Sequence, residues 1–167
     1  MQSKEAGAVM GEITGLNLIW EEGYILMLCS DSKHYYVYDE EDTESSELLR
    51  TVSGGHKEEI SILKYCDHLS LVGTGSIDGE IVIWDFELSK IEAMLHGHTS
   101  DITGIEFVVP YPMMITCSMD CTLCIWGVRP APLALRYICL NRFINVSWSF
   151  KSDIEAPISQ IVVDLRV

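Results

Sequence analysis

The feature that most constrains the fold of this chain is an internal repeat. One copy runs from Gly55 to Asp85 and the other from Gly97 to Gly127, so the period is 42 residues. Both copies open with Gly-His and carry a Trp next to their last residue, and they align without gaps. A fixed period in the low forties indicates a repeat architecture in which each copy is one supersecondary unit. A His and an Asp that recur once per repeat are therefore expected to be structural parts rather than catalysts.

Gly-His followed after about two dozen residues by Trp-Asp resembles the signature of the WD-repeat family. The second copy departs from this pattern at Cys121, where the turn Gly should stand, and at Gly127, where the closing Asp should stand. A degenerate copy precedes both, with Tyr38-Asp39 in place of Trp-Asp and Ser32 in place of the turn Asp. The resemblance covers roughly residues 13–140.

The resemblance implies an all-β fold, the β-propeller, with four strands per blade around a central channel. Residues 13–54, 55–96 and 97–140 are expected to form three blades, the first of them degenerate, and 141–167 to begin a further blade. Strands such as 81–84 are apolar on both faces and must be covered on both. No amphipathic helix separates the strands, which excludes a parallel sheet covered by helices. We expect one partial ring of about three to four four-stranded blades over residues 1–167. Because the family's rings generally need about seven blades, we expect the chain to be part of a longer protein or of a complex that completes the ring.

Each good repeat contains the residue types of a structural hydrogen-bond network. A buried Trp indole N–H needs an acceptor, which a Ser or Thr hydroxyl can supply. The His before the first strand can link that hydroxyl to the Asp of the turn between the second and third strands, as the resemblance implies. Two hydroxyls fit each network, and both remain open. The candidate residues are His56, Thr74 or Ser76, Asp78 and Trp84 in one blade, and His98, Thr116 or Ser118, Asp120 and Trp126 in the next.

Catalytic and metal-binding alternatives are weaker. His, Ser and Asp are also triad residues, but a catalytic site would not need one copy per blade. Cys121 and Cys124 have the spacing of many zinc sites, yet they fall in a turn and the following strand without a second ligand pair. The acidic run from Asp39 to Glu47 lacks the spacing of a calcium loop. We therefore expect no catalytic, cofactor or metal site.

Charge and composition limit the partners. The net charge is −14, which disfavours nucleic acid and anionic membrane surfaces and favours a basic or charge-mixed protein. No stretch is apolar enough to span a bilayer, and the first residues have no long apolar core, so we expect no secretory signal. The six cysteines are accordingly expected to be buried small hydrophobic residues in a cytoplasmic protein.

These observations predict a non-catalytic scaffold that binds other proteins, as WD-repeat proteins generally do. The stretch from Tyr111 to Pro130 further resembles the long WD-repeat proteins of cilia and flagella, which implies an axonemal component. The alternatives are a substrate-recognition or signalling adaptor, for example of a ubiquitin ligase, and a hydrolase built on a propeller.

Overall fold

The computed structural model describes residues 11–19, 23–39, 48–109, 111, 113–130 and 135–144, of which 128–130 and 135–144 are described by their backbone. Within these residues the chain forms twelve β-strands, one short 3-10 turn at Asp67–Leu69, and no α-helix. No helix in this part of the chain is long and apolar enough to cross a membrane. Residues 145–167 of the further blade expected at 141–167, and most of the acidic run, lie outside the described residues.

The strands form three separate antiparallel sheets of four, each in chain order, which we call the first, second and third blades. The first blade comprises β1 (Ile13–Ile19), β2 (Tyr24–Cys29), β3 (Tyr35–Asp39) and β4 (Leu48–Val52). The second comprises β5 (Ile60–Cys66), β6 (Leu71–Ser76), β7 (Ile81–Asp85) and β8 (Lys90–Leu95). The third comprises β9 (Ile102–Val108), β10 (Met113–Ser118), β11 (Thr122–Pro130) and β12 (Leu135–Ile144). The predicted all-β blade architecture is confirmed.

The sequence predicts strands at 48–52 and 113–118, which β4 and β10 match in full, and most other predicted strand ends lie within one or two residues of the observed ones. The largest difference is β12, which continues to Ile144, four residues beyond the blade end expected at Leu140. Antiparallel pairing with the long β11, from Thr122 to Pro130, accounts for the extension. The expected boundary between residues 140 and 141 therefore falls inside a strand.

The cores lie between blades, because neighbouring sheets stack face to face. One core joins the first two blades and includes Leu26, Tyr35 and Trp84. A second core joins the second and third blades and includes Ile83 and Phe107. The β7 side chains contribute to both cores, since alternate residues of a strand point to opposite faces. This explains why the repeats are apolar on both faces.

The innermost strands β1, β5 and β9 contact one another in series, which gives the sheets a common axis. At the contact between β1 and β5, the Asn17 side-chain amide forms the two hydrogen bonds that the backbone of a neighbouring strand would form. Its Nδ2 donates to Leu63 O at 3.1 Å, and its Oδ1 accepts from Tyr65 N at 3.3 Å. At the second contact, Ser61 Oγ donates to Ile102 O at 2.8 Å.

The two interfaces between blades are built differently. Between the first and second blades, Phe86 packs against Tyr24 and Tyr65, and the Arg50 guanidinium lies 4.6 Å from its ring centroid. Between the second and third blades the contact is closer and depends on glycine. A Cβ on Gly75 would lie 2.5 Å from Ile102 Cβ, a distance that packed atoms do not reach.

Candidate functional site

The residues repeated in the sequence meet in a buried network in the second blade. His56 Nε2 lies 2.7 Å from Thr74 Oγ1, and Trp84 Nε1 donates to the same oxygen at 2.8 Å. Thr74 in turn donates to Val82 O at 3.3 Å. A hydroxyl has one proton to donate, so His56 must donate through Nε2–H. Thr74 is completely buried, which makes this oxygen the junction between the imidazole and the indole.

The third blade repeats this junction. His98 Nε2 lies 2.8 Å from Thr116 Oγ1, and Trp126 Nε1 donates to that oxygen at 2.9 Å. Thr116 is also fully buried. Of the two hydroxyls left open in each repeat, the threonine of the second strand is therefore the one that joins His to Trp.

The serines two residues further on have a different role. Ser76 Oγ bonds to the Asp78 carboxylate and to Glu80 O, and Ser118 Oγ donates to Ser100 O at 2.9 Å. Both serines are buried at the end of the second strand, where the turn begins. They shape the turn and do not contact the indole.

The link from His to the turn Asp differs between the blades. In the third blade His98 Nδ1 lies 2.7 Å from Thr122 Oγ1, which donates to Asp120 Oδ1 at 2.6 Å. His98 Nδ1 is also 3.5 Å from that carboxylate. Because Thr122 donates to Asp120, it accepts from His98 Nδ1–H, and the chain from Asp120 to Trp126 is continuous.

In the second blade the expected link from His56 to Asp78 is absent, which corrects the sequence prediction. His56 Nδ1 is buried and has no hydrogen-bond partner among the described residues. The physical reason is Glu80, which occupies the position that Thr122 has in the third blade. No hydroxyl is present there to connect imidazole and carboxylate. Asp78 instead accepts from the Glu80 amide at 3.2 Å.

Sequence reasoning missed Thr122 and Glu80. The signal that could have found them is their common place in the gapless alignment, directly after the turn that carries the Asp. The first blade lacks the network altogether: Tyr38 stands in register with Ile25 as Trp84 does with Val72, and Met27 takes the place of Thr74. The Ser32 hydroxyl accepts from His34 N at 3.3 Å, as Asp78 does from Glu80 N, so it stands where the turn Asp was expected.

Burial and hydrogen bonding set the protonation of the network. Burial lowers the pKa of His56 to about 4, with nearby Asp78 opposing the shift. Burial acts to raise the pKa of Asp120, but hydrogen bonds from Thr122 and Thr99 and the nearby His98 outweigh it and lower the value to about 2. The pKa of Asp78 is lowered too, because the bonds from Ser76 and Glu80 outweigh the effect of burial. At neutral pH His56 is uncharged and both aspartates are ionised.

The cysteines considered for zinc are separated by the fold. Cys124 is fully buried in the core between the second and third blades, whereas Cys121 lies in the turn with φ of 62°. Its backbone has the left-handed conformation that Gly79 adopts in the second blade. No group of three or more His, Cys, Asp or Glu among the described residues is arranged to hold a metal ion.

The turns that carry Asp78 and Asp120 lie side by side at one end of the sheets. Gly79 approaches the backbone of the β8–β9 loop so closely that an added Cβ would lie 2.8 Å from His98 O. From the same loop, Thr99 N donates to Asp120 Oδ2 at 2.8 Å. We call this surface the turn face, and it consists of residues 76–80, 96–100 and 118–122.

Comparison with known proteins agrees with this geometry. Residues 46–85 and 89–127 match the family model of the WD domain, G-beta repeat. Two solved structures share the fold: the WD40 repeats of RRP9, with a TM-score of 0.67 at 15% identity over 83% of this chain and 40% of that one, and the designed Ika4 protein, with a TM-score of 0.67 at 19% identity over 96% and 84%. The chain therefore contains two WD repeats and shares its fold with WD40 propellers.

Among curated relatives, nuclear distribution protein PAC1-1 of Uncinocarpus reesii is 35% identical over 75 residues, which are 44% of this chain and 17% of the relative. DDB1- and CUL4-associated factor 10 of Homo sapiens is 27% identical over 109 residues, 65% of this chain and 19% of the relative. The chain thus spans less than a quarter of the length of these relatives.

Proposed function

We propose that this chain is a non-catalytic platform on which other proteins assemble. The observation that carries the proposal is that its repeated His, Thr and Trp side chains are bonded to one another in buried networks. Thr74 and Thr116 are fully buried, and each hydroxyl is already bonded to an imidazole and an indole. A nucleophile must reach its substrate, and neither hydroxyl has access to one. The polar groups of the repeats serve to hold the blades.

The surface left for recognition is formed by loops on a rigid scaffold, which is where binding residues usually lie. Ile77 and Met119 stand at matching positions in the two turns of the turn face and are 42% and 48% exposed. The net charge of −14 favours basic protein partners over nucleic acid or anionic membranes. We therefore propose protein partners.

Two particular roles follow as proposals. The resemblance of the Tyr111–Pro130 stretch to ciliary WD-repeat proteins supports an axonemal component working in the cytoplasm or cilium. The similarity to a protein named as a DDB1- and CUL4-associated factor supports an adaptor role, such as substrate recognition for a ubiquitin ligase.

Affinity capture from ciliated and non-ciliated cells tests the platform and separates these roles. The 167-residue chain is the bait, and the designed Ika4 protein is a control bait with a similar fold at 19% sequence identity. We expect proteins that bind the chain and not the control. Capture of axonemal proteins from ciliated cells alone supports the first role, and capture of DDB1 and CUL4 from both supports the second. Identical proteins on both baits would contradict the platform.

An enzymatic test complements the capture. The purified chain is incubated with chromogenic ester, phosphate and peptide substrates, and turnover is compared between the wild type and His56→Ala. We expect no turnover by either protein. Multiple turnover that disappears in His56→Ala would overturn the non-catalytic assignment in favour of a hydrolase.

A further inference from the structure

Glu80 is a departure from the repeat that weakens the second blade. Its counterpart Thr122 connects His98 to Asp120 in the third blade, and no such connection exists in the second. A buried polar group without a partner costs stability. Glu80 interrupts the network of its blade and, within the part of the chain that the structure describes, also lacks hydrogen-bond partners for its own carboxylate. A residue that lowers stability in both ways is expected to have a role other than stabilising the fold.

The Glu80 carboxylate has few hydrogen-bond partners among the described residues. Its side chain is 10% exposed, and Oε2 is buried without any hydrogen-bond partner among the described residues. Oε1 faces His96 Nδ1 at 3.9 Å, which is too long for a hydrogen bond. The His96 side chain is 72% exposed, so the ring that faces Glu80 Oε1 lies on the molecular surface.

The surroundings of Glu80 suit a protein segment rather than a metal ion. The exposed apolar side chains of Ile77 and Met119 lie on the adjoining turns of the same face. Asp78, which is also exposed, adds a second carboxylate. Together these side chains form an acidic position flanked by two apolar ones.

We propose that Glu80 is the anchor of a docking surface on the turn face for a basic protein segment. A Lys or Arg side chain of the partner displaces the His96 ring and donates to the Glu80 carboxylate, while neighbouring apolar side chains of the partner pack on Ile77 and Met119. The lost stability of the second blade is offset in the complex, where the carboxylate gains the charge-assisted bonds that it lacks in the free chain. This inference rests on the proposed platform function and names the chemistry of its partner.

The test exchanges Glu80 for the residue of the third blade. Glu80→Thr is expected to complete the link from Asp78 to His56 and to raise the melting temperature by a few degrees. The same change removes the anchor, so affinity for a basic ligand should fall about ten-fold or more. If Glu80 were only structural, one substitution would not raise the melting temperature and lower the affinity for the ligand at the same time. Glu87→Thr, at an exposed position in the turn after β7, is a matched control with the same change in charge.

The probe is a library of random twelve-residue peptides displayed on phage and selected on the wild-type chain. We expect selected peptides that combine Lys or Arg with apolar residues, bind the Glu87→Thr variant like the wild type, and lose affinity for Glu80→Thr. Glu80→Gln, which keeps the size of the side chain, provides the same binding test if the threonine variant does not fold.

Peptides that lack basic residues, or that bind both Glu80 variants as tightly as the wild type, would overturn the anchor. In that case proteins captured by the chain would still support the platform. Failure of the capture experiment alone would instead remove the platform and leave the peptide result intact.

Discussion

His56 and His98 occupy equivalent positions but carry their proton on different ring nitrogens when neutral. His56 donates through Nε2, because Thr74 uses its own proton on Val82 O. His98 donates through Nδ1, because Thr122 uses its proton on Asp120. A single hydroxyl, present in one repeat and replaced by Glu80 in the other, therefore determines the tautomer of an imidazole.

Removal of the Thr74 hydroxyl tests the junction of the second blade. Thr74→Val keeps the shape of the side chain and leaves both the indole N–H and the imidazole N–H without an acceptor. We expect a loss of about 1–3 kcal/mol in the free energy of unfolding, measured by denaturant titration. Thr51→Val, at an exposed position in β4, is the matched control and should stay within about 0.5 kcal/mol of the wild type. Equal stability of the two variants would show that the junction does not hold the blade.

The low pKa of His56 makes stability depend on pH. The unfolded imidazole takes up a proton near its ordinary pKa of 6.5, whereas the buried one does so only near 4, so the unfolded state binds more protons between these values. The contribution of neutral His56 to the free energy of unfolding is therefore fully present above pH 6.5. It is lost as the pH decreases to 4, by up to roughly 3 kcal/mol. Below this window the loss continues as Asp120, with its pKa of about 2, is protonated.

Urea titrations from pH 7 to 4 in the wild type and His56→Gln check this effect. The slope of stability against pH should be clearly smaller in His56→Gln. His68→Gln, which alters an exposed imidazole, should keep the wild-type slope. An unchanged slope in His56→Gln would remove His56 as the source of the acid sensitivity.

At this scale the sequence predicts the members of the networks better than their bonds. The repeat identifies His, Asp and Trp, because their types recur at one spacing. It does not distinguish Thr74 from Ser76, since residues two apart share a strand face and only the register with β7 decides which lies beside the indole. It also does not reveal the broken link at Glu80, because that depends on where one carboxylate points.

At the scale of the strand, glycine sets the distance between the second and third blades. Gly73 and Gly75 in β6 face Ile102, Ile105 and Phe107 of β9 with no room for a side chain at Gly75. The same positions in β10 are Ile115 and Cys117. The third blade therefore carries side chains at the two positions where the second blade has glycines. Its face does not offer a neighbouring sheet the same close approach.

Gly75→Ala tests this close approach. The added Cβ would lie 2.5 Å from Ile102 Cβ, so the strands must separate, at a cost of about 1–3 kcal/mol or more. Gly15→Ala in β1 is the control, because its Cβ would meet Leu28 Cβ at an ordinary 3.5 Å. Thermal unfolding of both variants gives the comparison. A Gly75→Ala melting temperature equal to that of Gly15→Ala would contradict the tight packing.

For the whole molecule, the three-sheet architecture follows from the repeat and from the two-sided apolar strands, and both are visible in the sequence. The extension of β12 is not, because the residues after Pro130 have no repeat partner and their pairing depends on the length of β11. The expected burial of the cysteines is confirmed for Cys29, Cys66, Cys117 and Cys124. Cys121 differs, because the turn leaves it partly exposed.

Thiol labelling of the folded chain checks this distribution. Brief treatment with N-ethylmaleimide, followed by peptide mass spectrometry, should modify Cys121 well before the buried thiols. Burial also raises the pKa of the Cys29, Cys66 and Cys117 thiols, which reduces their reactive thiolate fraction. The same treatment in urea should remove the difference. Labelling of Cys66 as fast as Cys121 in the folded protein would contradict the packing between blades.

The Asn17 amide, bonded to Leu63 O and Tyr65 N, has a consequence for assembly. It offers one donor and one acceptor to a backbone whose own donors and acceptors alternate, so a slip of one residue between β1 and β5 would set like groups against each other. Apolar faces alone tolerate sliding. This single side chain therefore fixes the register between β1 and β5, because a shift of one residue in either direction would lose both of its hydrogen bonds.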